Sequence, residues 1–112
     1  MKRGDFVTIA MQGDYGKPRP ALIIQADEFS EHPSATLLPV SSTLVDAPLC
    51  RVNVKPNVEN SLKKISQVMI DKSMTVKREK IGQPFGHIDD DTMMNIERCL
   101  ALFLGIGRRK RG

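Results

Sequence analysis

The sequence contains no tryptophan, one tyrosine (Tyr15) and four phenylalanines. A protein that reads nucleic acid mainly by base stacking presents exposed rings, and this composition argues against that mode. Tyr15 and Phe29 lie in polar segments and are the ring candidates for a surface role; Phe6 and Phe103 are assigned to the core. Only two cysteines occur, Cys50 and Cys99, far apart and without a C-x-x-C pair. That excludes a disulfide framework and a thiolate metal site, and both are expected to be reduced, small, buried hydrophobes. The two histidines, His32 and His87, and the acidic residues show no metal-ligand spacing, so no metal or other cofactor is expected. No apolar run approaches the 18 residues of a membrane-spanning helix. The first residues, with Asp5 and Asp14 around a short apolar run and no small-residue cleavage site, do not form a secretory leader. A cytoplasmic protein without membrane contact is therefore expected.

What is present suits one folded domain. The chain has 112 residues, 40% hydrophobic and 27% charged. At that length about two-thirds of the unfolded surface becomes buried, enough for a core without staples. Four of the 17 basic residues, Arg108, Arg109, Lys110 and Arg111, sit at the end; the rest of the chain carries 13 basic and 13 acidic groups. The division expected is a domain over 1–107 and a basic tail over 108–112. The tail is either a solvated terminus or a hook for polyanions.

Short β-rich runs fill the first three-quarters of the chain: Phe6–Ala10, Ala21–Gln25, Ala35–Val40, Leu49–Val54, Ser66–Asp71, Met74–Val76 and Phe85–Ile88. Pro39 suggests an edge or bulge position. From Asp89 the pattern changes: Met93, Ile96, Leu100 and Phe103 recur at helical spacing. Asp89, Asp90 and Asp91 supply a cap and first-turn charge, and Gly105 a left-handed stop. Long parallel crossovers are absent. The economical architecture is mainly β with α: a small antiparallel β-barrel with a C-terminal amphipathic helix packed across it.

Three segments carry candidate chemistry. In Gly13–Pro20, Arg19 stands between two prolines that fix its backbone as it enters a strand. A guanidinium held so is preorganised for a phosphate or carboxylate, or pins a turn through an internal carboxylate. Ser41, Ser42 and Thr43 end the third strand with three hydroxyls, which serve a phosphate oxygen or cap local backbone. Asp71, followed by Lys72, is placed to orient Arg19, to act as acid or base, or to pair with a lysine. His32 and His87 would form an acid–base pair only if the fold brought them together.

These residues fall into a recognisable order. Arg3-Gly4-Asp5, then Gly16-Lys17-Pro18-Arg19-Pro20-Ala21-Leu22-Ile23-Ile24, then Ser41–Leu49, then Ser66–Lys72, then Ile81-Gly82 and Gly86–Asp90 together resemble the MazF/PemK (Kid) toxin family from about residue 3 to 106. The resemblance implies an SH3-like barrel of the CcdB/MazF kind, a homodimer, and a toxin of a bacterial type II toxin–antitoxin pair. It implies a metal-independent, sequence-specific endoribonuclease that cuts single-stranded RNA by attack of the 2′-hydroxyl, leaving a 2′,3′-cyclic phosphate and a 5′-hydroxyl. A cognate antitoxin would neutralise it by folding a disordered segment across the RNA groove. Carried over by position, Arg19 contacts the scissile phosphate, Ser41 takes the place of a threonine hydroxyl, and Asp71 is the acidic member. Tyr15, Lys17, Ser42, Thr43 and Lys72 are the substrate-binding candidates. The first-loop histidine that some relatives use has no counterpart here, and the arginine that some carry two residues before the acid is replaced by Met69.

Two other classes compete. A CcdB-like toxin would bind DNA gyrase without nuclease activity, but that mode relies on the C-terminal residues, which here are basic. Arg19 with a nearby hydroxyl argues weakly against the other class, a non-catalytic SH3-like interaction module or a toxin homologue that has lost activity.

Overall fold

Side-chain alternation in the first strand sets the plan of the molecule. In β1 (Asp5–Ala10), Phe6 lies on one face of the strand and Val7 and Ile9 on the other, and all three are buried. A strand apolar on both faces must be covered on both. The computed structural model, which describes residues 1–10 and 17–108, shows how this is done. Tyr15, nearly all of the Gln12–Lys17 loop and residues 109–112 of the basic tail lie outside the described residues.

The strands that follow are β2 (Pro18–Ile23), β3 (Ser34–Ser41), β4 (Arg51–Val54), β5 (Ser66–Met69), β6 (Met74–Lys77) and β7 (Gly86–His87), and the chain then forms helix α1 (Asp90–Leu104). The pairings are antiparallel, in the order β4-β5-β3-β2-β1-β7, with β6 also alongside β3. The sheet is strongly curled, a half-barrel with one C-terminal helix. A bridge between Ile9 and Ile81 brings the segment after β6 back to β1.

Register then sorts the core. Phe6, Leu22 and Leu38 stand in one row across β1, β2 and β3. With Val40, Val52, Val54, Val68 and Ile70 they meet Met93, Ile96 and Cys99 of α1. On the opposite face Val7, Ile9, Ala21, Ile23, Ala35 and Leu37 form a second cluster, joined by Val76 of β6 and flanked by Met74 and Ile81. Each such large apolar side chain contributes about 1.5–3 kcal/mol by leaving water.

One edge of β3 serves two partners. Ser34–Leu37 pair with β6, whereas Val40 and Ser41 pair with β5. A single 3-10 turn at Ile70–Lys72 joins those two short strands. Pro39 falls between the two pairings, where no N–H is required of it. The edge-or-bulge expectation is corrected: Pro39 stands in a central strand, registered with Ala21, at the point where β3 passes from β6 to β5.

The helix begins and ends as its sequence predicts. Asp89 accepts the Thr92 N–H at 2.9 Å and the Thr92 hydroxyl at 2.9 Å, and Gly105 closes the last turn at φ 69°. The expected stripe needs correction at its end. Met93, Ile96 and Cys99 are buried and Leu100 partly so, but Phe103 is 49% exposed. Leu102, Leu104 and Ile106 are exposed with it, so the last turn runs past the sheet that buries the earlier ones. Cys50 is half-buried rather than fully buried.

Candidate functional site

Proline placement opens the sheet at one end. The N–H of Ile24 donates to Thr36 O in β3. Counting back by twos, the positions of Pro18 and Pro20 turn the same way, toward β3. Yet β3 pairs with β2 only from Ala21 to Ile23. The missing donors therefore cost no ladder bond, and beyond Ala21 the two strands part. β3 has by then turned to β5.

Arg19 and Ser41 flank this opening. Ala21 is registered with Pro39, and two residues further along each strand bring Arg19 and Ser41 to facing positions. Both share the face of Ala21 and Leu37, away from α1. Arg19 is exposed and Ser41 half-buried. The Ser41 hydroxyl accepts the Thr43 N–H at 3.0 Å. The local-capping role is thus present, and it orients the oxygen while leaving the hydroxyl proton to be donated elsewhere. Ser42 and Thr43 are exposed at the strand end, as is Lys17 at the start of β2.

Asp71 takes a partner that none of the sequence-based alternatives considered. It lies in the 3-10 turn after β5, half-buried, in an ion pair and hydrogen bond with the Arg51 guanidinium. Arg51 is registered directly across from Met69. A guanidinium thus reaches the end of β5 from the neighbouring strand. Lys72 is exposed beside it. Arg51 was not identified from sequence, because nothing short of strand register links positions 20 residues apart.

Gln67 was also missed. It is buried in β5, where its Oε1 accepts the Val45 N–H at 3.0 Å and its Nε2 donates to Val45 O at 3.0 Å and to Asn53 Oδ1 at 2.9 Å. One side chain thus pins the segment that follows the Ser41–Thr43 hydroxyls. A glutamine inside an apolar strand is the signal, since a buried amide must find partners for both ends.

The histidines do not assemble. His32 closes a turn with Ser34, and His87 lies on β7 opposite Asp5; no hydrogen bond joins the two. Among the described residues, no group of three or more His, Cys, Asp or Glu side chains is gathered to hold a metal ion.

A family model described as the PemK-like, MazF-like toxin of type II toxin–antitoxin systems matches residues 2–104. A protein named probable endoribonuclease MazF, from Mycolicibacterium smegmatis, is 42% identical over 107 residues, which cover 95% of this chain and 98% of that protein. Among solved structures, a mycobacterial endoribonuclease in complex with its cognate antitoxin superposes with a TM-score of 0.80 at 21% identity, over 97% of this chain and 99% of that one. MazF from Deinococcus radiodurans gives 0.76 at 18% identity, over 95% and 97%. At those identities the structures speak to the fold alone. The family match over nearly the whole chain, together with the 42% relative, means that this chain belongs to the PemK/MazF family of type II toxin–antitoxin toxins.

Proposed function

We propose that the chain is an endoribonuclease that cuts single-stranded RNA without a metal ion, and that the opening between β2 and β3 is its cleavage centre. The observation that carries the reading is the placement of a proline-clamped guanidinium, Arg19, across from an oriented hydroxyl, Ser41. In the reaction the 2′-oxygen forms a bond to the adjacent phosphorus and the bond from phosphorus to the 5′-oxygen breaks. The products are a 2′,3′-cyclic phosphate and a 5′-hydroxyl end; the proton lost by the 2′-hydroxyl is balanced by one delivered to the leaving oxygen. Charge grows on the phosphoryl oxygens, and donors fixed in advance stabilise it most effectively. Arg19 holds the phosphate in a forked contact, and Ser41 donates its remaining proton to a phosphoryl oxygen. Asp71 is the acidic member by its position in the family pattern alone: the Arg51 guanidinium holds its carboxylate, and it stands four residues beyond Gln67, the residue paired with Ser41. Lys17, Lys72, Ser42, Thr43 and Tyr15 bind the flanking nucleotides.

The toxin is proposed to act in the cytoplasm, inhibit translation and growth, and be restrained by a cognate antitoxin that folds across the RNA groove. No helix among the described residues is long and apolar enough to cross a membrane. A homodimer is proposed, supported by the apolar side chains exposed at the end of α1.

The test is to incubate the chain with a long single-stranded RNA in EDTA and map the ends. Discrete cuts bearing 2′,3′-cyclic phosphate are expected. Arg19→Ala is expected to keep the fold and lose cleavage by about 10²-fold or more, the scale of removing a preorganised charge-stabilising donor. Full cleavage by that variant removes Arg19 from the mechanism, and intact RNA with the wild-type protein moves the function to gyrase binding or to a non-catalytic module.

A further inference from the structure

Ser41 of β3, Gln67 of β5 and Asn53 of β4 stand in one row, because Gln67 is registered with Ser41 on one side and with Asn53 on the other. Their chain neighbours Val40, Val68, Val52 and Val54 belong to the core beneath α1. By alternation the row lies on the opposite face, the one that carries Arg19. Gln67 is 5% exposed, and an amide in such a place is costly unless its hydrogen bonds are made. Its Oε1 accepts from Val45 N–H, and its two Nε2 hydrogens go to Val45 O and to Asn53 Oδ1. With both hydrogens committed and the side chain covered, Gln67 is not built to touch a substrate itself.

The segment it grips has little else to fix it. Residues 42–46 are exposed and lie outside strand and helix. Leu44 and Val45 are 48% and 46% exposed, so apolar burial gives no account of where they lie. This segment nevertheless aims Ser41. The Thr43 N–H donates to Ser41 Oγ, and Thr43 stands two residues before the backbone that Gln67 holds by both its N–H and its C=O. A hydroxyl oxygen that accepts a fixed N–H has one lone pair spoken for, which narrows where its own hydrogen can point; released, it turns freely.

We propose that Gln67 is a positioning residue of the cleavage centre, acting through Val45 and the Thr43 N–H to fix the direction in which Ser41 donates. The inference rests on the ribonuclease reading and deepens it. A charge-stabilising donor is effective when its orientation is set before the charge develops, and here the setting comes from a neighbouring strand. Asn53, on the β4 side, occupies the second Gln67 hydrogen and so contributes to stability rather than to aim.

The experiment compares Gln67→Met, Ser41→Ala, their double variant and Asn53→Ala in the full chain, on a single-stranded RNA with a mapped cut. Methionine keeps the length of glutamine without its amide. The groups it abandons belong to Val45 and Asn53, both exposed, and water replaces the lost bonds, so the fold is expected to persist. Gln67→Met is expected to lower kcat per folded molecule roughly 10²-fold, the scale of a misplacement of about 1 Å at a reacting centre. KM is expected to stay near the wild-type value, the pattern of an interaction made only in the transition state. In the Ser41→Ala background the same change is expected to cost nothing further, because the two residues act as one unit. Asn53→Ala is expected to lower the thermal midpoint and leave kcat unchanged. Amide exchange reads the clamp without RNA: the Val45 N–H is expected to exchange faster in Gln67→Met while the amides of β1 keep their protection. If Gln67→Met fails to fold, Val45→Pro removes the same N–H from an exposed position and is expected to show the same loss of kcat. Wild-type kcat in the clamp variant, or losses that multiply in the double variant, overturns the inference and leaves the ribonuclease reading standing. A wild-type protein that leaves the RNA intact overturns the ribonuclease reading and the inference with it.

Discussion

At the scale of single residues, the proposed site is surrounded by cross-strand partners that the linear sequence conceals. Arg19 was legible because the prolines that restrain it are its neighbours, and Ser41 because three hydroxyls end a strand. Arg51 and Gln67 were not, since each acquires its role from a partner on another strand or loop. The Arg51–Asp71 pair is the sharpest instance, with side chains 16% and 24% exposed. A charge left alone in such a place loses its counter-charge and its hydrogen bond together. Arg51→Leu and Asp71→Asn are each expected to cost about 1–3 kcal/mol. The double variant is expected to cost less than their sum, with a coupling of roughly 1–3 kcal/mol. Urea unfolding of the four proteins measures this cycle. Additive effects within about 0.5 kcal/mol mean that the pair does not hold the site. The same variants assayed on RNA separate a positioning role from a purely structural one: Arg51→Leu should depress cleavage in excess of any loss of folded protein.

At the scale of elements, the helix was the most legible part, because its start, period and stop are all local signals. Its N-terminal carboxylate also makes a pH prediction. Hydrogen bonds from the Thr92 hydroxyl and backbone N–H hold the Asp89 carboxyl below its ordinary pKa. A carboxylate lowered in the folded state stabilises the fold above its unfolded pKa of about 3.9. That contribution is lost as the pH falls through the folded value. Asp89→Asn keeps the capping geometry without the titration. Urea midpoints at pH 7, 5, 4 and 3 should therefore fall more for the wild type than for Asp89→Asn, with the divergence confined to the region below about pH 4. Parallel curves dispose of the link between this cap and acid stability. Strands were less legible than the helix. Their existence followed from β-rich runs between turn residues, but the handover of β3 from β6 to β5 is a matter of register, which single-strand patterns do not encode. Phe103 was misplaced for a related reason: helical spacing tells which face a residue shares, not where the covering sheet ends.

At the scale of the whole molecule, that uncovered end is the main feature left unsatisfied within one chain. Phe103 and Leu102 of α1, with Leu49 and Cys50 before β4, line a groove of about 360 Å³ that Arg108 borders. Leu49 is 69% and Ile106 63% exposed. Contiguous apolar surface of this kind on a folded domain marks an interaction site. The fold class was legible at this scale because the ordered motifs span nearly the whole chain, and the proposed homodimer gives the exposed end of α1 an occupant. A stable dimer of standard size needs about 800 Å² per partner with an apolar centre. Phe103 is the ring available to anchor such a centre, and aromatic anchors carry a disproportionate share of interface energy. Phe103→Glu places a charge there at little cost to the monomer, since the side chain is already half in water. Sedimentation at micromolar concentration should show the wild type as a dimer and Phe103→Glu as a monomer with an unchanged helical spectrum. A variant that stays dimeric moves the interface to another face. A monomeric variant that still cuts RNA at the wild-type rate shows that one chain holds a complete cleavage centre between Arg19 and Ser41, whereas loss of cleavage on dissociation shows that the RNA path crosses from one copy to the other.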